Sequence, residues 1–432
     1  MTGADLVVPL VTGENTRYVN LDYAASAPAL SSVAQHVSEV LPYYSSVHRG
    51  AGYASRVCTN LLEQSRKTVG EFVGARPDDV VVFTRNTTDA LNLLARSVPG
   101  IVLTLDVEHH ANLLPWRGRR HRVLRAESTL EETLAALESA LAAQPVALLA
   151  ITGASNVTGE VLPLRRIVDL AHRAGTRVLV DAAQLAPHRR ISLADTGVDY
   201  LALSGHKLYA PYGAGALVGR RDWLDIAPAY LAGGGAVRAV SEVDEVWAPA
   251  PHRHEAGTPN VLGAAALARA CQTLSEVLDT DAAHHERQLL GQLERGLTDI
   301  PDVELLHIWP DCTDRIAVVS FVLADRPAGY VAAFLSAEHG IGVRDGKFCA
   351  HPLLRRLCGG SDAVRVSIGL GTTTEDIDLL LTALRTLVTD GARWTYATVD
   401  GRWAPTPDPR ELDPFGIGAD SATTPSCGAH GV

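Results

Sequence analysis

Between residues 79 and 220 the chain alternates short apolar runs with stretches of helical periodicity. The runs fall at 80–84, 101–106, 146–152, 177–180, 200–203 and 216–218. Most are apolar at nearly every position rather than at alternate ones, which marks strands covered on both faces in a parallel sheet. The helical stretches carry their own signals. Ser128-Thr129-Leu130-Glu131 reads as a capping box opening a helix to about Ala143. Another helix begins near Pro163 and stops at Gly175, with Ile167, Leu170, Ala171 and Ala174 on one face. Strands alternating with helices predict an α/β domain with right-handed crossovers.

After about residue 262 the texture changes. The pattern predicts a long helix over 262–296, a strand at 316–323, a helix at 330–339, a short strand at 341–344, a loop to Pro352, a strand at 364–368 and a last helix at 375–388. Few strands without β-α alternation suggest a smaller α+β domain. The first fifty residues have no strong period and are expected to pack across both domains. From Gly401 the chain is rich in Pro, Gly, Asp and Thr and reads as extended and partly disordered. The expected division is an N-terminal segment (1–20), a large domain (21–262), a small domain (263–392) and a tail (393–432).

Length agrees with two cores, since 432 residues exceed the roughly 250–300 that one core usually holds. A formal charge of −11 argues against a nucleic-acid surface. No apolar run approaches the roughly 20 residues that span a bilayer, so no membrane is expected. The first residues lack a basic region followed by an apolar core, so no signal peptide is read and a cytoplasmic protein is expected. Cysteines 58, 271, 312, 349, 358 and 427 show no CxxC spacing, which favours reduced thiols over disulfides or zinc.

Ligands of open α/β sheets bind beyond the carboxyl ends of the strands. The residues there are Arg85-Asn86-Thr87-Thr88, Glu108-His109-His110-Ala111-Asn112, Ser155-Asn156-Val157-Thr158-Gly159, Asp181-Ala182-Ala183-Gln184 and Ser204-Gly205-His206-Lys207. Singly, each has a plain reading: Thr87 and Thr88 as helix caps, Asp181 as a turn carboxylate, His109 as a core histidine, Lys207 as a solvated lysine. Together they are the parts a pyridoxal phosphate site needs: anion donors at a helix N-terminus, a ring-stacking imidazole, an acid for the pyridine nitrogen, and an amine. No GxGxxG follows the first strand, so a nucleotide fold is poorly supported.

On these residues the chain resembles the class V aminotransferase family of fold type I pyridoxal phosphate enzymes, in its cysteine desulfurase and selenocysteine lyase branch. The matching segments are LDYAASAP (21–28), HRG (48–50), FTRNTTDALNLLA (83–95), EHHANLLPW (108–116), SNVTGE (155–160), VDAAQLAPH (180–188), SGHKLYAPYGAGAL (204–217), EAGTPN (255–260) and VRDGKFCAHPL (343–353), in family order. The resemblance implies that Lys207 carries the cofactor and moves protons, that Asp181 pairs with the pyridine nitrogen, and that His109, rather than His110, stacks on the ring. It implies that Asn156 and Gln184 bond the substrate or the ring hydroxyl, and that Thr88, Ser204, His206 and the Thr87 amide hold the phosphate. Thr258 would reach the phosphate of a partner subunit, implying a homodimer. Arg365 would bind the substrate carboxylate, with Arg344 as a second substrate-facing arginine.

Cys349 stands where the desulfurase branch carries its sulfur-accepting cysteine, with Arg344, Lys347 and His351 close in sequence to favour a thiolate. The implied reaction takes L-cysteine to L-alanine, leaves a persulfide on Cys349 and passes sulfur to an acceptor protein. The chain departs from that branch in three places. Lys347-Phe348 replaces two histidines, Gly371-Thr372 replaces an Asn-Thr pair, and about forty residues follow the last helix. The same scaffold supports C–S lyases, epimerases and transaminases. A catalytically dead scaffold relative would be marked by loss of the lysine or aspartate, and both are present.

Overall fold

A computed structural model describes residues 1–118 and 120–416. Its centre is a seven-stranded sheet in the order Asp79–Thr84, Gly215–Arg220, Tyr200–Ser204, Arg177–Asp181, Leu148–Thr152, Val102–Leu105, His121–Leu124. Gly215–Arg220 runs antiparallel to both neighbours, and the other adjacent pairs are parallel. The Leu148–Thr152 and Tyr200–Ser204 strands are buried at every residue, as continuous apolar runs require between two helical layers.

The small domain is a four-stranded antiparallel sheet, Val303–Leu305, Val318–Leu323, Ala363–Ser367 and Arg344–Gly346, in that order. Its core of Phe321, Phe334, Leu335, Leu380 and Leu384 lies under the helices Ala282–Thr298, Ala328–His339 and Thr374–Thr389. The N-terminal segment touches both domains: Val19 and Asn20 pair in parallel with Ile341 and Gly342, and the Ala27 amide donates to the His206 carbonyl.

The domains are latched by buried polar contacts. Glu160, 1% exposed, accepts from the amides of Ile308 and Trp309 and from the Thr158 hydroxyl. Gly159, at φ +78°, brings its turn so close that a Cβ would lie 2.5 Å from the Val318 carbonyl oxygen.

Several expected elements differ. The capping box sits one residue later, Thr129 with Glu132, because the Thr129 hydroxyl is the group that reaches the third helical amide. The expected 262–296 helix is two, Val261–Leu278 and Ala282–Thr298. The segment read as a loop to Pro352 ends in a helix, His351–Cys358, with the proline in its first turn. The expected tail carries an antiparallel hairpin, Tyr396–Val399 with Arg402–Pro405, packed on Ala328–His339. Cys427 and the rest of 417–432 lie outside the described residues. Among the described residues one helix, Val261–Leu278, is long and apolar enough to cross a membrane, and it packs against Tyr53–Phe72 and Ser31–Val40.

Candidate active site

The carboxyl ends of the sheet strands and the small-domain loop around Cys349 enclose a cavity of about 310 Å³. Thr87, Thr88, His109, Asn156, Asp181, Gln184, Ser204, His206, Lys207, Arg344, Cys349 and Arg365 all line it. Thr258 does not: it is exposed and borders a different cavity of about 420 Å³ beside Arg85, Asp89 and Tyr230.

One end of the cavity is the N-terminus of the helix Thr87–Ala95. Its cap is Asn86, whose side chain accepts from the Asp89 amide at 3.0 Å, so neither threonine is a cap. The Thr87 amide donates to Ser204 Oγ at 2.8 Å, and that hydroxyl donates on to Thr87 Oγ1 at 2.9 Å. The Thr87 amide expected to face an anion is thus bonded to Ser204. Hydroxyls and the positive end of the helix remain. Gly215 makes the cradle possible, because a Cβ there would meet the Leu203 carbonyl oxygen at 2.6 Å and Asn86 Cα at 2.7 Å.

Across the floor, Asp181 ends its strand, and its Oδ1 accepts from the Ala183 amide at 3.0 Å. Burial raises its pKa, partly offset by that amide and by Lys207. Burial also lowers Lys207, to about 8, against the pull of Asp181. His109 is pushed down to about 3, first by burial and then by Lys207, and its Nδ1 accepts from the Ala111 amide at 3.0 Å. It is a neutral imidazole with its proton on Nε2.

The two amides expected to face substrate are in part committed. Asn156 Nδ2 donates to the Phe348 carbonyl at 2.9 Å, and Gln184 Nε2 donates to the Ala24 carbonyl at 2.8 Å. The Asn156 contact is one clamp on the cysteine loop. The other is the His110 amide, which donates to the Cys349 carbonyl at 2.8 Å. Phe348 and Cys349 are both left-handed, at φ +50° and +53°. Such a turn disperses the flanking side chains. Lys347 pairs with Asp362 at 4.0 Å, and His351 lies against His110 with ring centroids 4.6 Å apart. Lys207 and Arg365, remote in sequence, are coupled to a Cys349 thiolate, and Arg344 lines the same cavity.

Arg365 is 3% exposed. Its Nη2 donates to Asp22 Oδ1 and its Nη1 to the Asn156 carbonyl, each at 3.0 Å, while its Nε is buried without a partner. Burial lowers its pKa against the pull of Asp22. Asp22, inside LDYAASAP, was missed as a functional candidate, because nothing local in that segment ties it to an arginine 343 residues away.

Glu108 was missed too. It is fully buried, its Oε2 accepts from Asn112 Nδ2 at 2.8 Å, and its Oε1 has no partner. Burial pushes its pKa up to about 8, so it is neutral at pH 7. The folded chain then holds a proton that the unfolded chain releases near pH 4.5, so stability falls as pH rises from about 4.5 to about 8. Glu108→Gln should remove that part of the slope in denaturant titrations at pH 5 and pH 8, while Glu108→Ala should cost about 1–3 kcal/mol by stranding the Asn112 amide.

The aminotransferase class-V family matches residues 19–380. A probable cysteine desulfurase of Mycolicibacterium paratuberculosis is 37% identical over 81% of this chain, which spans 52% of that protein, about half its length. A cysteine desulfurase of Pectobacterium atrosepticum is 34% identical over 88% of this chain and 95% of its own. The apo structure of a cysteine desulfurase from Thermococcus onnurineus superposes with a TM-score of 0.80 at 30% identity, covering 86% of this chain and 95% of that one.

Proposed function

This chain belongs to the aminotransferase class-V family, and from that premise we propose that it is a cysteine desulfurase, converting L-cysteine to L-alanine with transfer of sulfur to Cys349. The family works with pyridoxal 5′-phosphate, and the cavity has the chemistry to hold it. The Thr87, Thr88 and Ser204 hydroxyls suit a phosphate at a helix N-terminus. Asp181 is a buried carboxylate that an N–H partner would stabilise. Once bound, the cofactor supplies an electron sink for charge developing beside the substrate carboxylate.

The residues then divide the work. Lys207, lowered toward neutrality, accepts the proton from the substrate α-carbon and returns one to the carbon skeleton. Arg365, lining the cavity and steadied by Asp22, holds the substrate carboxylate. His109 packs as a neutral ring and competes with no cation. The Cys349 thiolate attacks the substrate sulfur. The new S–S bond forms as the carbon–sulfur bond breaks, and the electron pair stays with the carbon skeleton, which takes a proton and leaves as alanine.

The observation that carries this reading is Cys349 in the same cavity as Lys207 and Arg365. A lyase needs no second thiol there. Mapping the alkylated peptides after one addition of L-cysteine should find the extra sulfur on Cys349, and finding it on none of the cysteines would refute the assignment.

The partners proposed are L-cysteine, a sulfur-acceptor protein and a second copy of the chain. Five free cysteines among the described residues accord with a reducing, cytoplasmic setting. The exposed Thr258 suits a residue that completes a neighbour's phosphate site. Sedimentation should therefore show a dimer, and Thr258→Ala should weaken cofactor affinity by about tenfold, the loss of one hydrogen bond to a charged group. A fully active monomer would exclude the shared site.

A further inference from the structure

We propose that Phe348 positions Arg365 for the substrate carboxylate and ties that recognition to the placement of Cys349. The idea rests on the desulfurase reading for its substrate class and on geometry for its content. Arg365 Cζ lies 5.1 Å from the centroid of the Phe348 ring. A guanidinium over an aromatic face gains about 0.5–2 kcal/mol, most where water is excluded. Both groups are dry: Phe348 is 6% exposed and Arg365 3%.

The ring restrains a guanidinium that is otherwise under-supported. Asp22 and the Asn156 carbonyl hold its two terminal nitrogens, and its Nε is buried without an acceptor. With an aromatic face against it, the planar fork is kept from tilting away from its two oxygen partners, so the guanidinium stays in place for an incoming carboxylate. A histidine here would offer the guanidinium a poorer face and, when protonated, a like charge.

The same residue carries strain. A left-handed phenylalanine followed by a left-handed cysteine costs on the order of 1–3 kcal/mol per residue and persists only where the surroundings over-determine it. Three contacts do so here: Asn156 on the Phe348 carbonyl, His110 on the Cys349 carbonyl, and Arg365 on the ring. The residue that supports the carboxylate site is thus bonded directly to the nucleophile.

The test compares two amines that cannot be desulfurised: L-alanine, which has the carboxylate, and ethylamine, which lacks it. Binding to the cofactor-loaded protein is read from the cofactor's absorbance, for the natural sequence, Phe348→Leu, Phe348→Ala and Phe348→Tyr. Phe348→Leu keeps bulk without a π face, so it separates the cation–π contact from simple packing if the alanine variant folds poorly. Both should weaken L-alanine binding by about 3- to 30-fold and leave ethylamine within about twofold, and Phe348→Tyr should restore L-alanine binding. Equal weakening of both amines, or no change for L-alanine, would overturn the role. Turnover of L-cysteine plays no part in this comparison, so failure of the desulfurase reading is seen separately.

Discussion

Cofactor-loaded Cys349→Ala protein will bind L-cysteine and release no alanine. The argument is about where sulfur goes. The electron sink and Lys207 can strip the α-proton without help from a thiol, so the variant should still show the spectral change of substrate binding. Breaking the carbon–sulfur bond toward alanine needs a nucleophile to take the sulfur, and among the described residues no other cysteine lines the cavity. Cys358, the next in sequence, lies at the far end of the helix His351–Cys358 with its thiol donating to the Leu354 carbonyl. Removing the nucleophile of a concerted site should lower alanine formation by at least about 10³-fold. The variant should fold normally, because alanine meets about the same left-handed strain at φ +53° as cysteine does. Alanine and persulfide assays on one sample check it, and turnover at the natural rate would make Cys349 structural.

Lys207→Ala should lose both cofactor fixation and catalysis. In the folded protein burial brings this amine to about 8 from an ordinary 10.5. At pH 7 about a tenth of it is neutral, against roughly one in three thousand for a free lysine. Loading of apoprotein with pyridoxal phosphate should therefore speed up as pH rises and level off above about pH 8, because the neutral amine is the reactive form. Borohydride should fix the cofactor on Lys207, and Lys207→Ala should abolish fixation and lower alanine formation by about 10³-fold or more, in line with loss of a positioned general base together with the cofactor anchor. Fixation on Lys67 or Lys347 would defeat the assignment.

What could be read from sequence follows from how locally each feature is encoded. The six apolar runs became strands because burial on both faces leaves no polar alternation, and their polar ends fell at one edge of the sheet because parallel strands share a direction. His121–Leu124 was not read, since a sheet-edge strand holding His121 and Arg122 has no apolar signature. The break after Leu278 was hidden by continuous helical composition on both sides. The hairpin at 396–405 was masked by proline-rich surroundings, although Asp400-Gly401, both at positive φ, is a two-residue hairpin turn signal. The cations coupled to Cys349 were sought among its chain neighbours. Of those neighbours Arg344 lines the same cavity, Lys347 is drawn to Asp362, and the third dimension adds Lys207 and Arg365.

Incubation of the cofactor-loaded protein with L-cysteine, with alanine, pyruvate and protein-bound persulfide quantified together, tests the central claim most directly. Desulfuration with Cys349 as acceptor predicts alanine, one persulfide per site in the first turnover, and no pyruvate. Pyruvate with free sulfide and no persulfide would contradict it and make the protein a lyase on the same scaffold.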